Sequence, residues 1–313
     1  MDNNKIVAVV GPTASGKTAL AVEIAKRYNG EVVSADSMQL YRGMDIASAK
    51  PKDEETQGII HHLISVKDND ERYSVANFVS DAKKICIDII ERNKLPVLCG
   101  GTGLYIDSFV NNLEFVDDGF SDDIRNKLLS RLENEGADAL YNELYSIDKK
   151  YASKIDKKNT KRVIRALELY YNTGKTMTEQ LLLSRRNEKE FDVLYIGLNY
   201  RDRAKLYERI NKRVDKMLSD GLVEEAKQFL SLNDTKTANQ AIGIKELKPF
   251  FNGEISLEEA VEKIKQETRR YAKRQLTWFN RNESIKWIYA DETENVGDKA
   301  FSYIDEFLRG RNN

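Results

Sequence analysis

A glycine-rich run close to the N-terminus carries the residue types with the clearest chemistry. It follows an apolar stretch, Ile6–Val10, and leads into a helical pattern that starts at Thr18. The backbone N–H groups of such a loop attract phosphate, a lysine adds a full positive charge, and a hydroxyl can bind magnesium. The spacing G-x-x-x-x-G-K-T therefore predicts a site for a di- or triphosphate. This phosphate loop consists of Gly11, Pro12, Thr13, Ala14, Ser15, Gly16, Lys17 and Thr18.

Polar residues also follow the next two predicted strands. Asp36 and Ser37 come directly after the strand Glu31–Ala35, and the segment Gly100–Tyr105 follows the strand Pro96–Cys99. Because ligands of open parallel sheets bind beyond the carboxyl ends of the strands, we expect both segments to lie beside the phosphate loop. A carboxylate there can hold magnesium through water or act as a general base. Taken singly, Asp36 and Ser37 are explained equally well by a turn or a helix cap, and residues 100–103 by a flexible loop.

Short apolar stretches alternate with helical patterns along the chain, which is typical of a parallel sheet flanked by helices. Helices are expected at 18–28, 75–92 and 203–218, then from near Leu222, and the last begins after Ser256. We therefore predict an α/β fold, a P-loop NTPase-like parallel sheet with an inserted, mainly helical domain. The five predicted strands are Ile6–Val10, Glu31–Ala35, Pro96–Cys99, Asp192–Leu198 and Ile285–Ala290.

The character of the sequence changes between Asn111 and Phe191, where polar helical patterns replace the strands. This stretch resembles an insert or a lid rather than a continuation of the sheet. The predicted organisation is a first part of the core at 1–112, a helical insertion domain at 113–191 and a second part of the core at 192–313.

Composition limits the classes of protein to consider. The 313 residues include 50 basic and 51 acidic side chains, and the net charge of −1 argues against a surface that binds nucleic acid everywhere. Two cysteines are too few for a disulfide framework, and no apolar run approaches the ~18 residues of a membrane span. The N-terminus leads directly into a strand, which argues against a signal peptide. We expect a soluble, cytoplasmic monomer with no membrane association and no obligate protein partner.

Two other polar features are interpreted as structural. His61 and His62 could suggest a metal site, but the chain has no third histidine, so hydrogen-bonded structural histidines are the better interpretation. Asp88 follows an apolar run, yet it falls within a helical pattern and is expected at the surface.

One predicted helix near the C-terminus combines basic and aromatic residues. Its like-charged pairs four residues apart are Arg269 with Lys273 and Arg270 with Arg274. Such pairs cost a few tenths of a kcal/mol in an isolated helix, a cost that an anionic partner offsets. Further basic helical segments lie at 161–165 and 209–213. Three basic helices around a phosphate site favour RNA as a partner, whereas a single one would be explained by a solvated helix face.

Eight segments form an ordered set across the chain. They are GPTASGKTALA at 11–21, DSMQLYRGMDIASAKP at 36–51, HHLI at 61–64, GGTGLY at 100–105, KRVIRALE at 161–168, LYERINKRVDKM at 206–217, AIGIKEL at 241–247 and TRRYAKRQLTWF at 268–279. This set resembles the bacterial tRNA dimethylallyltransferases, also called isopentenyl-diphosphate:tRNA transferases. The resemblance runs from Val9 to about Trp278.

The resemblance implies an enzyme that transfers a dimethylallyl group from dimethylallyl diphosphate to N6 of an adenosine in tRNA. The acceptor would be adenosine 37 in the anticodon loop of tRNAs that read codons starting with U. The products would be N6-dimethylallyladenosine and diphosphate. The phosphate loop would hold the diphosphate, with Mg²⁺ as the cofactor on Thr18.

The same resemblance assigns roles to single residues. Asp36 would take the proton of the amine, positioned by Ser37 and Gln39, and Lys17 and Thr102 would complete the catalytic set. Further ligands of the diphosphate would be Arg209 and Arg213. The tRNA would be bound by Asp36, Ser37, Met38, Gln39, Thr102, Arg125, Lys161, Arg162, Val163, Ile164, Arg165, Arg269, Arg270, Lys273 and Arg274.

Three other activities fit the phosphate loop alone. An adenylate dimethylallyltransferase would use free AMP, ADP or ATP as acceptor, but it needs neither the insert nor the basic helices. A small-molecule kinase gives no reason for three basic helices. An RNA-binding GTPase or ATPase lacks support because no N-K-x-D run occurs in the chain.

Overall fold

The apolar stretch near the N-terminus forms a strand that is buried on both faces, β1 (Lys5–Val10). In this computed structural model, which describes residues 4–115, 122–184, 188–232 and 240–310, Ile6 and Val10 belong to one cluster of buried side chains and Val7 and Val9 to another. A strand that is buried on both sides requires helices on both faces of its sheet.

Six parallel strands form the sheet in the described part of the chain. Besides β1 they are β2 (Gly30–Ser34), β3 (His61–His62), β4 (Leu95–Gly100), β5 (Asp192–Asn199) and β6 (Lys286–Tyr289). Their order is β3-β2-β4-β1-β5-β6. Because β4 lies between β1 and β2, the carboxyl ends of β2, β4 and β1 are direct neighbours. The predicted α/β class is confirmed.

Helices connect the strands along the chain. Before residue 111 the chain forms α1 (Lys17–Arg27), α2 (Asp53–Thr56), α3 (Val75–Glu91) and α4 (Gly103–Val110). The middle of the chain forms α5 (Asp122–Glu135), α6 (Ala137–Ile147), α7 (Lys149–Ala152), α8 (Thr160–Thr173) and α9 (Met177–Leu183). After β5 follow α10 (Arg203–Ser219), α11 (Leu222–Ser231), α12 (Ile244–Phe251), α13 (Leu257–Phe279) and α14 (Val296–Arg309).

The chain divides into two units, one formed by Met1–Val110 with Glu190–Asn313 and the other by Asn111–Lys189. The first unit contains the whole sheet. The second contains α5–α9, which enclose their own apolar core around residues such as Leu140 and Leu167. Whether these units are independent domains, as expected with boundaries at 112/113 and 191/192, stays a prediction.

Strand β3 and the helices α2, α4, α12 and α14 were not predicted from the sequence. Strand β3 has two residues, too few for a visible alternation of apolar side chains, and α14 follows the helix that was expected to be the last. The predicted start of α13 is correct, because the Ser256 hydroxyl accepts a hydrogen bond from the Glu259 N–H at 3.2 Å. Asp88 lies on α3 with an exposed side chain, as expected. None of the helices within the described ranges has the length and apolar character to cross a bilayer.

Candidate active site

Three loops leave the sheet side by side. Val10 pairs with Gly100, and Ser34 pairs with Cys99, so the phosphate loop and the segments after β2 and β4 start at the same edge. The expected convergence of these three segments is confirmed. Each of them contributes side chains or backbone to one small cavity.

The phosphate loop is shaped by close contacts with β5 and by its own lysine. Gly11 has φ 139°, and a Cβ atom there would lie 2.2 Å from the carbonyl oxygen of Leu198, so a larger residue would clash with the strand. The Lys17 ammonium donates a hydrogen bond to the Pro12 carbonyl at 2.6 Å. The Ser15 hydroxyl is buried and has no hydrogen-bond partner. Because an unpaired buried hydroxyl costs free energy, this atom fits a ligand that accepts its hydrogen bond.

The charge of Lys17 depends strongly on its surroundings. The pKa of Lys17 is lowered to about 8, chiefly by burial and also by the Arg213 guanidinium, whereas Cys99 and the Asp36 carboxylate act in the opposite direction. Burial likewise lowers the pKa of Arg213. Two half-buried cations close to one another create a strong local preference for an anion.

Asp36 is held by the backbone of its own loop. Its carboxylate Oδ1 accepts a hydrogen bond from the Met38 N–H at 2.9 Å. The neighbouring Ser37 N–H donates to the Thr102 hydroxyl at 3.2 Å, and the Thr102 N–H donates to the Ala35 carbonyl at 3.2 Å. Thr102 therefore joins the loop after β4 to the loop that carries Asp36.

Gln39 does not position Asp36 in this structure, which corrects the expectation from the resemblance. Its side-chain oxygen accepts a hydrogen bond from the Ser34 hydroxyl at 2.8 Å, and its amide nitrogen donates to the Ala49 carbonyl at 3.3 Å. Ser37 acts through its backbone N–H, not through its hydroxyl. Gln39 thus fastens the segment 36–51 to the end of β2.

Two cavities of the first unit share a wall at the phosphate loop. The smaller cavity, of about 70 Å³, is lined by Asp36, Gln39 and Gly101, which lies in the β4 loop, the short segment 101–102 between β4 and α4. The larger cavity, of about 770 Å³, is lined by the segment 45–55 and by α10. Lys17, Thr18 and Arg213 line both. A diphosphate bound by these three residues would therefore reach both spaces.

Arg209 and Arg213 lie one helical turn apart on α10, facing the phosphate loop. Arg209 donates a hydrogen bond from Nε to the Ala14 carbonyl at 3.0 Å, and its guanidinium lies 5.3 Å from the centre of the Tyr200 ring. Arg209 lines the larger cavity only. The structure thus places both predicted arginines beside the phosphate loop.

Helix α13 contributes two residues that the sequence analysis missed. Gln275 and Tyr271 line the smaller cavity, and Gln275 is buried between the phosphate loop and the β4 loop. Burial raises the pKa of the Tyr271 phenol, and the nearby Asp36 carboxylate adds to this effect. One signal was visible in the sequence, the uncharged residues within a basic stretch, but the partners of Gln275 lie 262 and 174 positions away.

The two histidines are hydrogen-bonded to protein groups, as interpreted from the sequence. The His62 ring lies 2.7 Å from the Glu31 carboxylate, and His61 Nδ1 lies 2.9 Å from the Ile59 carbonyl. Burial lowers the pKa of His61. Its Nε2 has no partner and its ring lines the smaller cavity, which was not expected.

The basic residues of α13 differ in their surroundings. Arg269 donates a hydrogen bond to Asn211 Oδ1 at 2.7 Å, and Arg270 is paired with Glu267. Lys273 and Arg274 are exposed, and the Arg274 guanidinium lies 5.6 Å from the centre of the Tyr271 ring. This helix therefore presents part of its positive charge to solvent.

The predicted tRNA contacts in the second unit need one correction. Lys161 and Arg162 are exposed at the start of α8, but Val163 and Ile164 are buried in the core of the helical unit and are not available to RNA. Arg125 is bound to the buried Glu168 carboxylate at 2.9 Å. Arg165 lies 3.7 Å from the same carboxylate.

The sequence matches known families over most of its length. Residues 39–282 match the family described as IPP transferase, and residues 4–70 match isopentenyl transferase. The chain belongs to the IPP transferase family. The second match contains the phosphate loop and Asp36, which both precede the first residue of the first match.

Curated and solved members of the IPP transferase family resemble the chain along its whole length. The tRNA dimethylallyltransferase of Caldanaerobacter subterraneus subsp. tengcongensis is 49% identical over 96% of this chain and 97% of its own. The crystal structure of the tRNA isopentenylpyrophosphate transferase from Bacillus halodurans has a TM-score of 0.71 at 42% identity, over 98% of this chain and 96% of its own. A eukaryotic dimethylallyltransferase acting on tRNA has a TM-score of 0.83 at 30% identity, over 98% and 80%.

Proposed function

We propose that this member of the IPP transferase family transfers the dimethylallyl group of dimethylallyl diphosphate to N6 of adenosine 37 in tRNA. The acceptors are tRNAs that read codons starting with U, and the reaction takes place in the cytoplasm, where tRNA is found. One observation carries the proposal in the structure: the phosphate loop with Lys17 meets the Asp36 carboxylate at one cavity, and the Thr102 hydroxyl holds the backbone next to that carboxylate. The family membership supplies the class of reaction.

The diphosphate is bound by the phosphate loop. Its charge is matched by Lys17 and Arg213, which are half-buried and line the same cavity. The Ser15 hydroxyl, buried without a partner, supplies a further donor. Fixed donors of this kind stabilise charge that develops on a leaving group without the cost of reorienting solvent.

Mg²⁺ fits the oxygen donors at the cavity. Within the described ranges no group of three or more His, Cys, Asp or Glu side chains could hold a metal by itself. Mg²⁺ normally keeps several waters and binds one or two protein oxygens together with substrate phosphates. The Thr18 hydroxyl, which lines this cavity, is the group that would hold it together with the diphosphate. When bound, Mg²⁺ would neutralise part of the charge on the departing diphosphate.

The acceptor amine of adenine is a weak nucleophile because its lone pair is delocalised into the ring. Asp36 takes one N6 proton while the bond from N6 to the allylic carbon forms and the bond from that carbon to the diphosphate oxygen breaks. The hydrogen bond from the Met38 N–H fixes one carboxylate oxygen and leaves the other free for the amine. Thr102 holds the two loops together beside this carboxylate.

The tRNA is bound through the exposed basic side chains. Lys161 and Arg162 on α8, and Arg270, Lys273 and Arg274 on α13, are the exposed basic members of the predicted set. Cations of this kind bind phosphates and position the nucleic acid, whereas the target base must leave its stack to enter the cavity.

The proposal is tested with purified protein, Mg²⁺ and labelled dimethylallyl diphosphate. Three parallel reactions contain an anticodon stem-loop with adenosine at positions 36–38, AMP, or no acceptor. Label in the stem-loop alone supports the proposal. Label in AMP would show a nucleotide prenyltransferase, and label in neither would contradict prenyl transfer to adenine.

A further inference from the structure

One buried amide side chain connects the two halves of the site. The Gln275 oxygen accepts a hydrogen bond from the backbone N–H of Thr13 at 2.8 Å, and the Gln275 nitrogen donates to the carbonyl of Gly101 at 3.0 Å. Gln275 is 5% exposed. This pair of hydrogen bonds, the amide bridge, joins the phosphate loop to the β4 loop through α13.

Gly101 provides the room that the amide bridge needs. A Cβ atom built at Gly101 would lie 2.0 Å from the Gln275 nitrogen, so any side chain there would displace the amide. The segment that follows Gly101 holds Thr102, which binds the loop of Asp36. A series of hydrogen bonds therefore connects the phosphate loop to the loop of Asp36. It passes from Thr13 to Gln275, from Gln275 to Gly101, and from the adjacent Thr102 to Ser37.

A second set of contacts holds α13 against α4, the helix that follows the β4 loop. The Trp278 indole N–H, on the same helix face as Gln275, donates to the Asp107 carboxylate at 2.6 Å. The Trp278 ring lies against Gly103, where a Cβ atom would come within 2.3 Å of it. Because α13 is anchored in this way, the Gln275 side chain has little freedom to follow a loop that moves.

We infer that Gln275 is a positioning residue for the transfer reaction, an inference that rests on the proposed function. Gln275 fixes the spacing between the loop that binds the diphosphate and the loops that present Asp36 to the acceptor. Group transfer requires the reacting atoms to be held close to their final geometry, and a misplacement of about 1 Å can cost on the order of 10²-fold in rate. Loss of the amide bridge should thus lower kcat more than the affinity for tRNA.

Three variants remove the amide bridge in different ways. Gln275→Met keeps the volume and removes both hydrogen bonds. Gly101→Ala leaves Gln275 in place but displaces its amide. Gln275→Glu keeps an oxygen acceptor, and its carboxyl can also donate to the Gly101 carbonyl once it is protonated. Thr277→Ala is the matched control, because the exposed Thr277 hydroxyl only donates to Lys273 within the helix, at 2.9 Å.

We measure kcat and KM for dimethylallyl diphosphate with saturating stem-loop, together with the dissociation constant of the stem-loop. Gln275→Met and Gly101→Ala are expected to lower kcat by about 10- to 10²-fold with unchanged stem-loop affinity. Burial raises the pKa of an introduced carboxyl. The activity of Gln275→Glu relative to wild type should therefore rise as the pH falls and exceed that of Gln275→Met at the acidic end.

Each outcome has a defined meaning. Wild-type kcat in Gln275→Met, or a Gln275→Glu variant that follows Gln275→Met at every pH, overturns the inference. If Gln275→Met does not fold by circular dichroism, Gly101→Ala and the pH profile of Gln275→Glu decide. Affinity for inorganic diphosphate, measured by calorimetry on the same proteins, should fall in the bridge variants and not in Thr277→Ala. An inactive wild type would contradict the proposed function, while this binding measurement would still test the bridge.

Discussion

The hydroxyl of Thr102 accepts a hydrogen bond from the backbone N–H of Ser37 at 3.2 Å. The side chain that follows β4 thus holds the backbone that follows the neighbouring strand β2. The Asp36 carboxylate, one residue before Ser37, is bound to the same turn through the Met38 N–H. The candidate base is thus oriented by two hydrogen bonds that converge on three consecutive residues. This relationship makes Thr102 testable separately from Asp36.

Thr102→Val should lower kcat by about 10-fold, because it leaves the Ser37 N–H without its acceptor and loosens the turn that carries Asp36. Thr102→Ser keeps the hydroxyl and should retain most of the activity. Steady-state kinetics on the stem-loop substrate check the prediction. Equal activity of the valine and serine variants would show that the hydrogen bond has no part in catalysis.

Asp36→Asn should lower kcat by roughly 10²-fold or more, because the amide cannot take the N6 proton. Binding of the stem-loop should change little, since the substitution preserves shape. Single-turnover transfer and a gel-shift titration measure the two properties on the same protein. Asp70→Asn, at an exposed position, serves as the control. Near-normal turnover of Asp36→Asn would remove this residue from the role of base.

Lys17 should make diphosphate binding depend on pH. With a pKa of about 8 in the free protein, Lys17 is charged below pH 8 and becomes neutral as the pH rises through this value. A bound anion favours the charged form, so binding should weaken above pH 8 and be accompanied by proton uptake. Calorimetry in buffers of different ionisation enthalpy measures this uptake. Lys17→Arg stays charged and should show none.

Lys17→Ala should cost on the order of 3 kcal/mol of transition-state stabilisation, by analogy with the loss of one donor to a developing anion. The loss should appear in kcat as well as in kcat/KM. A rise in KM for the allylic diphosphate with unchanged kcat would instead show that Lys17 binds ground state and transition state equally.

A double variant with Lys161→Ala and Arg162→Ala should bind the stem-loop more weakly, and its binding should depend less on the salt concentration. Both side chains are exposed, and two lost phosphate contacts should reduce the slope of log K against log salt by between about 1 and 2. Binding titrations at several salt concentrations test this. Lys157→Ala, an exposed lysine of the same unit paired with Asp138 at 3.2 Å, should leave the slope unchanged. A slope equal to wild type in the paired variant would exclude these contacts.

Glu31 should contribute to stability rather than to catalysis. Arg92, then Lys94 and His62, hold the pKa of this buried carboxyl far below its usual range. A lowered carboxyl pKa stabilises the fold above about pH 4.5, and this contribution is lost as the pH falls further. Glu31→Gln should therefore reduce the free energy of unfolding by roughly 2 kcal/mol at pH 7.

Urea denaturation of wild type and Glu31→Gln at pH 7 and at acidic pH tests this contribution. The difference between the two proteins should shrink as the pH falls below about 4.5. Asp88→Asn, which removes an exposed partner of the same Arg92, should have a smaller effect. A constant difference at every pH would show that the lost contribution is not the charge of Glu31.

Local patterns predicted the parts of the site that one stretch of chain forms by itself. The phosphate loop, the polar segment after β2 and the start of α13 at Ser256 all depend on neighbours within a few residues, and the structure places each as expected. Strand β3 was missed because two residues cannot show a period. Its pairing with β2, not its own sequence, makes it a strand.

The roles of residues whose partners are distant along the chain could not be predicted from the sequence. Val163 and Ile164 were predicted to bind tRNA together with their basic neighbours. The helical period instead places their side chains on the buried face of α8, in the core of the second unit. Gln275 looked like one more polar residue of a basic helix, since its partners Thr13 and Gly101 lie 262 and 174 positions away. Only the folded chain shows that this amide belongs to the site.

The same distance has a consequence for synthesis on the ribosome. Thr13 and Gln275 are 262 residues apart, and translation at about 5–20 residues per second separates their appearance by on the order of 10 to 50 s. During that interval the emerging chain contains a phosphate loop whose partner helix has not been made. A truncated product that ends before α13 would therefore retain the phosphate loop but lack the residues that α13 adds to the site.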